Sequence, residues 1–267
     1  MQLSNTDRLT YVFDLDGVIY RGKELQPHAI ELLSVLRDRG HAVRFYTNNA
    51  ARSRKSYVNR LASMGIPTPI EEIMTSSYAT ALYFVEMNAV GKTVYRIGEK
   101  GMAEEFEAVG MKVIYDQEEP HAKIDFVTVG IDRDFNYHKL ARAQRAIHRG
   151  AKFIATNEDA TFPMESGTLM PGGGCMVAAV RTATDVEPFV IGKPATYAYD
   201  KILEFTNCPP ERSVMVGDRL DTDILVGNRA GAQTVLVLTG VTSREQAESA
   251  TGDLKPDRII ETLEELL

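Results

Sequence analysis

The sequence is poor in several features that mark specialised classes of protein. It has only two cysteines in 267 residues, which excludes a disulfide framework and suits a reducing compartment, so we expect a cytoplasmic protein. Positive charge is not in excess, since the net charge is −7 and the pI is about 5.4, whereas a general nucleic-acid binder is normally basic. No stretch reaches the roughly 18 apolar residues of a membrane span, and the polar segment 1–10 has no signal-peptide core. We therefore expect neither nucleic acid nor a membrane as a partner.

Repeats and low-complexity segments are also missing from the sequence, which excludes solenoid and fibrous architectures. Apolar residues make up 44% and charged residues 25%, as in ordinary globular proteins. The length accommodates one large domain or two modest ones.

Short apolar runs alternate with amphipathic stretches along the chain. The runs predict strands at 11–13, 42–46, 93–97, 126–129, 152–155, 188–191, 213–216 and 234–238. The amphipathic stretches predict helices at 27–39, 53–64, 77–88, 103–109, 137–149, 174–184, 195–205, 222–230 and 244–249. This alternation is typical of βαβ units, so we predict an α/β fold with a largely parallel sheet.

Two carboxylates one residue apart, Asp14 and Asp16, are the most informative feature of the chain. They follow an apolar run and precede Gly17, as expected where a buried strand enters a tight loop. Carboxylates held this close need a cation, and Mg²⁺ is the natural one for oxygen ligands near phosphate. An ordinary turn or a calcium loop is the simpler interpretation, but Val18 and Ile19 stand where an EF-hand loop would continue with oxygen ligands.

Three more predicted strands end in residues suited to phosphate chemistry. They run into Thr47-Asn48-Asn49, into Lys193, and into Asp218 with Asp221 and Asp223 close behind. Each has a simpler interpretation alone: a helix cap, a solvated lysine, or acids that favour a helix start. Carboxyl ends of parallel strands share one edge of a sheet, so we predict that all four groups converge on one crevice.

Together these motifs resemble haloacid dehalogenase superfamily hydrolases, specifically the NagD-like, 4-nitrophenylphosphatase-like subfamily IIA. The resemblance rests on the segments 14–18, 47–49, 155–159, 192–194, 217–224 and 238–241, and it covers essentially the whole chain. It implies a Rossmann-like core with a parallel sheet at 1–79 and 185–267. It also implies an α/β cap domain inserted at 80–184.

The resemblance further implies a role for each acidic residue. Asp14 would be the nucleophile and a metal ligand. Asp16 would be the general acid/base and would ligate the metal through its main-chain carbonyl. Asp218 would be the third protein ligand of Mg²⁺, and Asp223 would support the metal site through water or from outside the direct ligands.

The same resemblance assigns the phosphate-binding residues and the reaction. Thr47 and Asn48 would bind the transferring phosphate, and Lys193 would neutralise it and position Asp14. The implied activity is a Mg²⁺-dependent phosphatase that hydrolyses small soluble phosphomonoesters, such as a nucleotide, a sugar phosphate or phosphoglycolate, through an aspartyl-phosphate. One alternative is a non-catalytic phosphate-ligand sensor or scaffold on the same fold. A haloacid dehalogenase is less favoured, because such enzymes use one aspartate and no metal.

Two features of the implied cap leave the interpretation open. The long loop at 156–174 contains Asn157 and Asp159, and we hypothesise that it closes over the site and selects the leaving group. The alternative is a subunit contact, since caps of this family often mediate dimers, so a homodimer through the cap is possible. Four basic residues of the predicted helix 137–149 share one face, which is either a solvated surface or a polyanion site. They are His138, Arg142, Arg145 and Arg149.

Overall fold

The structure is a computed structural model that describes residues 8–115, 123–163 and 169–267. Its strands are β1 Thr10–Phe13, β2 Tyr20–Arg21, β3 Glu24–Leu25, β4 Ala42–Thr47, β5 Ile73–Thr75, β6 Thr93–Ile97, β7 Lys112–Ile114, β8 Phe126–Val129, β9 Lys152–Ala155, β10 Thr161–Pro163, β11 Leu169–Pro171, β12 Phe189–Val190, β13 Ser213–Gly217, β14 Gln233–Val237 and β15 Arg258–Ile260. Its α-helices are α1 Ala29–Asp38, α2 Arg54–Ser63, α3 Ser76–Glu86, α4 Lys100–Ala108, α5 Tyr137–His148, α6 Gly173–Thr184, α7 Tyr197–Thr206, α8 Leu225–Ala230 and α9 Arg244–Ser249.

The chain divides into two compact units. The first comprises the residues up to Thr47, then Val58–Met74 and Lys193–Leu267, and the second comprises Asn48–Tyr57 and Thr75–Gly192. The predicted α/β fold is confirmed, because each unit is built on a sheet of parallel strand pairs flanked by helices.

The main sheet of the first unit has the strand order β15-β14-β13-β1-β4-β5. Its central strand β1 is apolar on both faces, as a strand covered on both sides requires: Val12 and Phe13 are completely buried. Phe13 lies opposite Val216 of β13 on one side and opposite Phe45 of β4 on the other. Since all three strands run in the same direction, the residues that follow them meet at one edge of the sheet.

The second unit contains a sheet with the order β12-β9-β8-β6-β7, which is parallel in every pair. Strand β12, which precedes the lysine motif, belongs here because Phe189 lies opposite Ile154 and Val190 opposite Ala155 of β9. The prediction that this strand shares a sheet edge with β1 is therefore wrong. The error arose because an apolar run does not encode which neighbour it will pair with.

Most predicted elements match the structure to within two or three residues at each end. Sequence reasoning missed β5, β7 and β15, whose three residues are too short for a periodic pattern. The long loop also contains an antiparallel hairpin, in which Phe162 of β10 lies opposite Met170 of β11. The predicted helix at 222–230 opens as a π-helical turn, Leu220–Ile224, before α8. In the described part of the chain, no helix has the length and apolar character needed to cross a membrane.

Candidate active site

Three buried carboxylates meet at the carboxyl edge of the first unit's sheet. Asp14 directly follows β1, Asp218 follows β13, and Asp223 lies in the π-helical turn beyond. Each offers one carboxylate oxygen, and these oxygens lie within 4.8 Å of one another. Asp14 is 7% exposed, Asp218 2% and Asp223 1%, so water screens their mutual repulsion poorly.

Lys193 supplies the positive charge at this cluster. Its Nζ atom lies 2.6 Å from Oδ1 of Asp14 and 2.6 Å from Oδ1 of Asp223, and it also donates to the carbonyl oxygen of Tyr46 at 3.3 Å. The lysine is 3% exposed, so both ion pairs are buried. Three carboxylates and one ammonium leave an excess of negative charge when all four groups are ionised.

Asp223 also organises the loop that carries Asp218. Its Oδ2 atom accepts hydrogen bonds from the backbone N–H groups of Asp218 and Arg219, both at 3.1 Å. One carboxylate therefore pairs with Lys193 through one oxygen and holds the backbone of the loop through the other. This double use explains why the acid is buried and close to the sheet edge.

The segment 238–241 contributes contacts whose chemistry sequence reasoning did not identify. The backbone N–H of Val241 donates to Oδ2 of Asp218 at 2.8 Å, and the Thr239 hydroxyl donates to the carbonyl of Gly17 at 2.7 Å. A Cβ atom at Gly240 would lie only 1.9 Å from that same Asp218 oxygen, so only glycine allows this approach. The segment thus holds Asp218 and the loop after Asp14 from one side. A glycine between two hydrogen-bonding residues after a strand was the available sequence signal.

The ionisable groups of the cluster shift one another's pKa values. Burial raises the pKa of Asp14 well above its usual range, and Asp223 and Asp218 raise it further, although Lys193 opposes them. Burial and then the charge of Asp223 raise the pKa of Asp218 to about 7. Burial disfavours the Lys193 ammonium, but Asp14 and Asp223 outweigh it, so the pKa of Lys193 is raised. The buried carboxylates are therefore poorly compensated by the protein alone.

This donor set fits a hard divalent cation. Mg²⁺ takes oxygen ligands in a compact arrangement, and the three clustered carboxylates supply hard oxygen donors with excess negative charge. Raised pKa values of clustered carboxylates are expected at a site that binds a cation.

A separate set of contacts in the second unit surrounds Asn48, the first residue after β4. Its side-chain Nδ2 donates to Oδ1 of Asp159 at 3.0 Å. Its carbonyl oxygen accepts from Nδ2 of Asn157 at 2.7 Å and from the hydroxyl of Ser76 at 2.6 Å. Asn157 in turn accepts from the backbone N–H of Asp159 at 3.1 Å through its Oδ1. Asn48 is thus held at both its side chain and its backbone.

Known proteins are similar to this chain over nearly its whole length. Residues 11–112 match the family model described as haloacid dehalogenase-like hydrolase, and residues 190–266 match a second, HAD-hydrolase-like model. The 5′-nucleotidase YutF of Bacillus subtilis is 39% identical over 256 residues, covering 96% of each chain. Phosphoglycolate phosphatase 2 of Arabidopsis thaliana is 37% identical over 276 residues, covering 97% of this chain and 92% of the relative. The chain belongs to the haloacid dehalogenase-like hydrolase family.

Solved structures of this hydrolase family share the fold. The p-nitrophenyl phosphatase from Archaeoglobus fulgidus aligns with a TM-score of 0.87 and 34% identity, covering 96% of this chain and 97% of its own. A glycerol phosphate phosphatase from Mycobacterium tuberculosis, solved in complex with magnesium, aligns at 0.88 and 34% identity, with 97% and 76% coverage. NagD from Escherichia coli K-12 aligns at 0.83 and 30% identity, with 96% coverage of both chains. The resemblance to the NagD-like branch of the family is therefore confirmed.

Within this hydrolase the structure places the predicted site residues in two groups. Asp14, Lys193, Asp218 and Asp223 form the cluster of the first unit, while Asn48, Asn157 and Asp159 form the hydrogen-bonded group of the second. The remaining two predicted residues are Asp16 and Thr47. Asp16 is half-buried in the loop after β1, and Thr47 is the buried last residue of β4, the strand that pairs with β1.

Proposed function

We propose that this protein is a magnesium-dependent phosphatase that hydrolyses small soluble phosphomonoesters through an aspartyl-phosphate on Asp14. The observation that carries the proposal is the buried cluster of Asp14, Asp218 and Asp223. Lys193 forms ion pairs with two of these carboxylates, Asp14 and Asp223. It combines a nucleophile, a cation site and a fixed ammonium, which are the groups that phosphoryl transfer requires. Relatives over nearly the whole chain are named phosphoglycolate phosphatase, 5′-nucleotidase and glycerol-3-phosphate phosphatase, which supports the same reaction class.

Magnesium would be held by the carboxylates of Asp14 and Asp218 and by the main-chain carbonyl of Asp16. Asp223 would act from outside the direct ligands, because Lys193 and two backbone N–H groups already occupy its oxygens. When bound, the ion offsets the repulsion between an anionic substrate and the carboxylates, and it orients the phosphoryl group. The solved relative in complex with magnesium supports the choice of this ion.

The first chemical step uses two acids of the loop after β1. An oxygen of Asp14 attacks phosphorus as the bond from phosphorus to the alcohol oxygen breaks. Asp16 donates its proton to that departing oxygen, so the alcohol leaves neutral. Lys193 favours the ionised form of Asp14 and fixes the orientation of its carboxylate, since its Nζ atom lies 2.6 Å from that carboxylate.

The second step releases phosphate and restores the enzyme. Asp16, now a carboxylate, takes a proton from a water molecule as that water attacks the phosphorus of the aspartyl-phosphate. The bond from phosphorus to Asp14 breaks and phosphate is released. Thr47 and Asn48 would donate hydrogen bonds to the other phosphoryl oxygens in both steps.

The second unit would contain the inserted cap at 80–184, with Asn157 and Asp159 acting near the substrate. Their contacts favour a positioning role. Asn157 holds the backbone of Asn48 and Asp159 holds its side chain, so both would act on the phosphate through Asn48. This differs from the hypothesis that the pair selects the leaving group, and the two ideas predict different substrate dependence.

A homodimer through the cap, which the second unit would contain, is a further part of the proposal. Among the described residues, β12 is an edge strand of its sheet, and Phe189 is 47% exposed there. Its ring stacks on that of Tyr83 at a centroid distance of 4.7 Å, which enlarges the apolar surface. A Phe189→Ser variant should have the monomer mass in light scattering. An unchanged dimer would place the contact elsewhere, and a monomeric parent would contradict the dimer.

A cytoplasmic location completes the proposal. It rests on the scarcity of cysteine and on both Cys175 and Cys208 being unpaired thiols. Cell fractionation followed by an immunoblot tests it, and recovery of the protein outside the cytoplasmic fraction would contradict it.

The decisive experiment is phosphate release from 4-nitrophenyl phosphate with and without Mg²⁺. We expect Mg²⁺-dependent turnover by the parent protein and none by Asp14→Asn, whose amide is a poor nucleophile and ligand. Asp221→Asn is the matched control, because that carboxylate is 65% exposed and pairs with Arg219. Tight phosphate binding without turnover in the parent would favour the sensor. Full activity of metal-depleted protein, with halide release from a haloacid, would favour the dehalogenase.

A further inference from the structure

A cavity of about 380 Å³ in the second unit is lined by an unusual number of cationic side chains. They are Lys92, Lys123, Arg142, Arg145, Arg149 and Lys152. The chain as a whole carries a net charge of −7, so this concentration of positive charge opposes the overall trend. Clustered like charges repel one another, and they are stabilised when an anion lies between them.

The cavity is built where several chain segments meet at the amino-terminal edge of the second unit's sheet. Lys92 directly precedes β6, Lys123 lies just before β8, and Lys152 opens β9. Arg145 comes from the last turns of α5, and Arg149 directly follows that helix. Asn157 follows the opposite, carboxyl end of β9, so this cavity is distinct from the residues proposed to act on the substrate.

The carboxylate lining the cavity is already engaged. Asp125 accepts hydrogen bonds from the N–H of Thr93 at 3.0 Å and from its hydroxyl at 2.8 Å, and it lies 3.3 Å from Nζ of Lys123. Four of the five exposed cations have no carboxylate within 4 Å among the described residues: Lys92, Arg145, Arg149 and Lys152. Among the described residues, these four positive charges therefore have no ion-pair partner and can contact a ligand.

Arg142 gives the cavity a fixed wall. It is only 8% exposed, its Nη1 donates to the carbonyl of Tyr115 at 2.9 Å, and its guanidinium lies 5.0 Å from the ring centroid of Tyr95. A buried arginine held by a carbonyl and an aromatic ring keeps its orientation, so the site is partly preorganised.

The negative end of the α5 dipole explains only part of this pattern. It favours cations in the last turn of the helix, which accounts for Arg145 and Arg149. It does not account for Lys92 and Lys152, which lie at strand starts and are separated by much of the unit's sequence. Convergence of cations from separate elements on one concave surface is typical of anion recognition.

We propose that this cavity binds a small polyphosphorylated metabolite with two or three linked phosphates, such as a nucleoside diphosphate or triphosphate. Four cations without an ion-pair partner among the described residues call for more negative charge than a single phosphate carries. The volume lies at the lower end of the roughly 300–1,000 Å³ that small-molecule sites occupy. A long nucleic acid would extend beyond the cavity over a protein whose net charge repels it.

The test is calorimetric titration of full-length protein with inorganic tripolyphosphate. Metal is first removed with a chelating resin, because the carboxylate cluster then repels anions from the active site. We expect one saturable site per chain, weakened at least about 5-fold in Arg145→Gln/Arg149→Gln, since each exposed charge pair contributes modestly. The matched control is Lys55→Gln/Lys255→Gln, which removes the same charge from exposed positions outside the cavity and should leave the affinity unchanged.

Three outcomes would overturn the proposal. These are no saturable binding, equal weakening in both double variants, or tighter binding of a short single-stranded DNA than of tripolyphosphate. The Arg145→Gln/Arg149→Gln variant should keep the parent kcat/KM for 4-nitrophenyl phosphate with Mg²⁺, which shows that it is folded. If it does not, Lys152→Gln replaces it in the same titration, and affinity equal to the parent's refutes the site.

Discussion

Replacing Asp218 by asparagine tests whether the carboxylate cluster is destabilising without a cation. The side chain is 2% exposed, and its pKa is raised from 3.8 to about 7 by burial and by Asp223. Asparagine has the same shape, and its oxygen can still accept the hydrogen bond from the N–H of Val241. The substitution therefore removes charge while retaining the principal contact.

The sign follows from the raised pKa. A folded-state pKa above the unfolded value means that folding favours the protonated acid, so the penalty grows as the pH rises from 3.8 to about 7 and then levels off. Integrated over pH, the penalty of Asp218 relative to a neutral side chain is about 2 kcal/mol near pH 5 and about 4 kcal/mol near pH 8. For 267 residues this corresponds to a melting-temperature gain in Asp218→Asn of about 3 °C near pH 5 and about 7 °C near pH 8.

The assay is thermal unfolding of metal-depleted protein at the two pH values. Asp221→Asn, at 65% exposure, is the control and should shift the midpoint by less than about 1 °C. Mg²⁺ at about 100 times its Kd adds about 2.7 kcal/mol to the parent and less to the variant, which has lost a ligand. This addition should reverse the order near pH 5, where it exceeds the penalty, and should only narrow the difference near pH 8. A lower melting temperature of metal-free Asp218→Asn near pH 8, or an equal gain at both pH values, would refute the reasoning.

Three further substitutions probe the remaining roles. Asp16→Ala should slow turnover by about 10²–10⁴-fold. The rate of single-turnover phosphorylation should fall more with an alkyl phosphate than with 4-nitrophenyl phosphate, because the 4-nitrophenolate leaving group needs little protonation. Equal losses with the two substrates would contradict the acid role. Lys193→Met should abolish activity and cost about 3–5 kcal/mol of stability in denaturant titrations, because it leaves buried carboxylates unpaired; a cost below about 1 kcal/mol would contradict this. Asn157→Ala should lower kcat/KM by a similar factor across several phosphate esters at constant oligomer mass, since it acts through Asn48, whereas a reordered substrate ranking would support leaving-group selection.

The acidic part of the candidate site could be predicted from the sequence because short, contiguous segments of the chain encode it. Asp14 and Asp218 each follow a run apolar enough to be a buried parallel strand, and neighbouring parallel strands end at the same edge. The residue types at those ends indicate phosphate chemistry whatever the details of packing. The family resemblance rests on the same short segments.

The pairing of distant segments was decided only by the tertiary structure. The sequence could not show that β12 pairs with β9, that Asn48 hydrogen-bonds Asp159, or that lysines and arginines from four elements line one cavity. Periodicity reports which face of an element is apolar, but it carries no information on which element will cover that face. The raised pKa of Asp218 likewise depends on burial and on Asp223, and both exist only once the chain has folded.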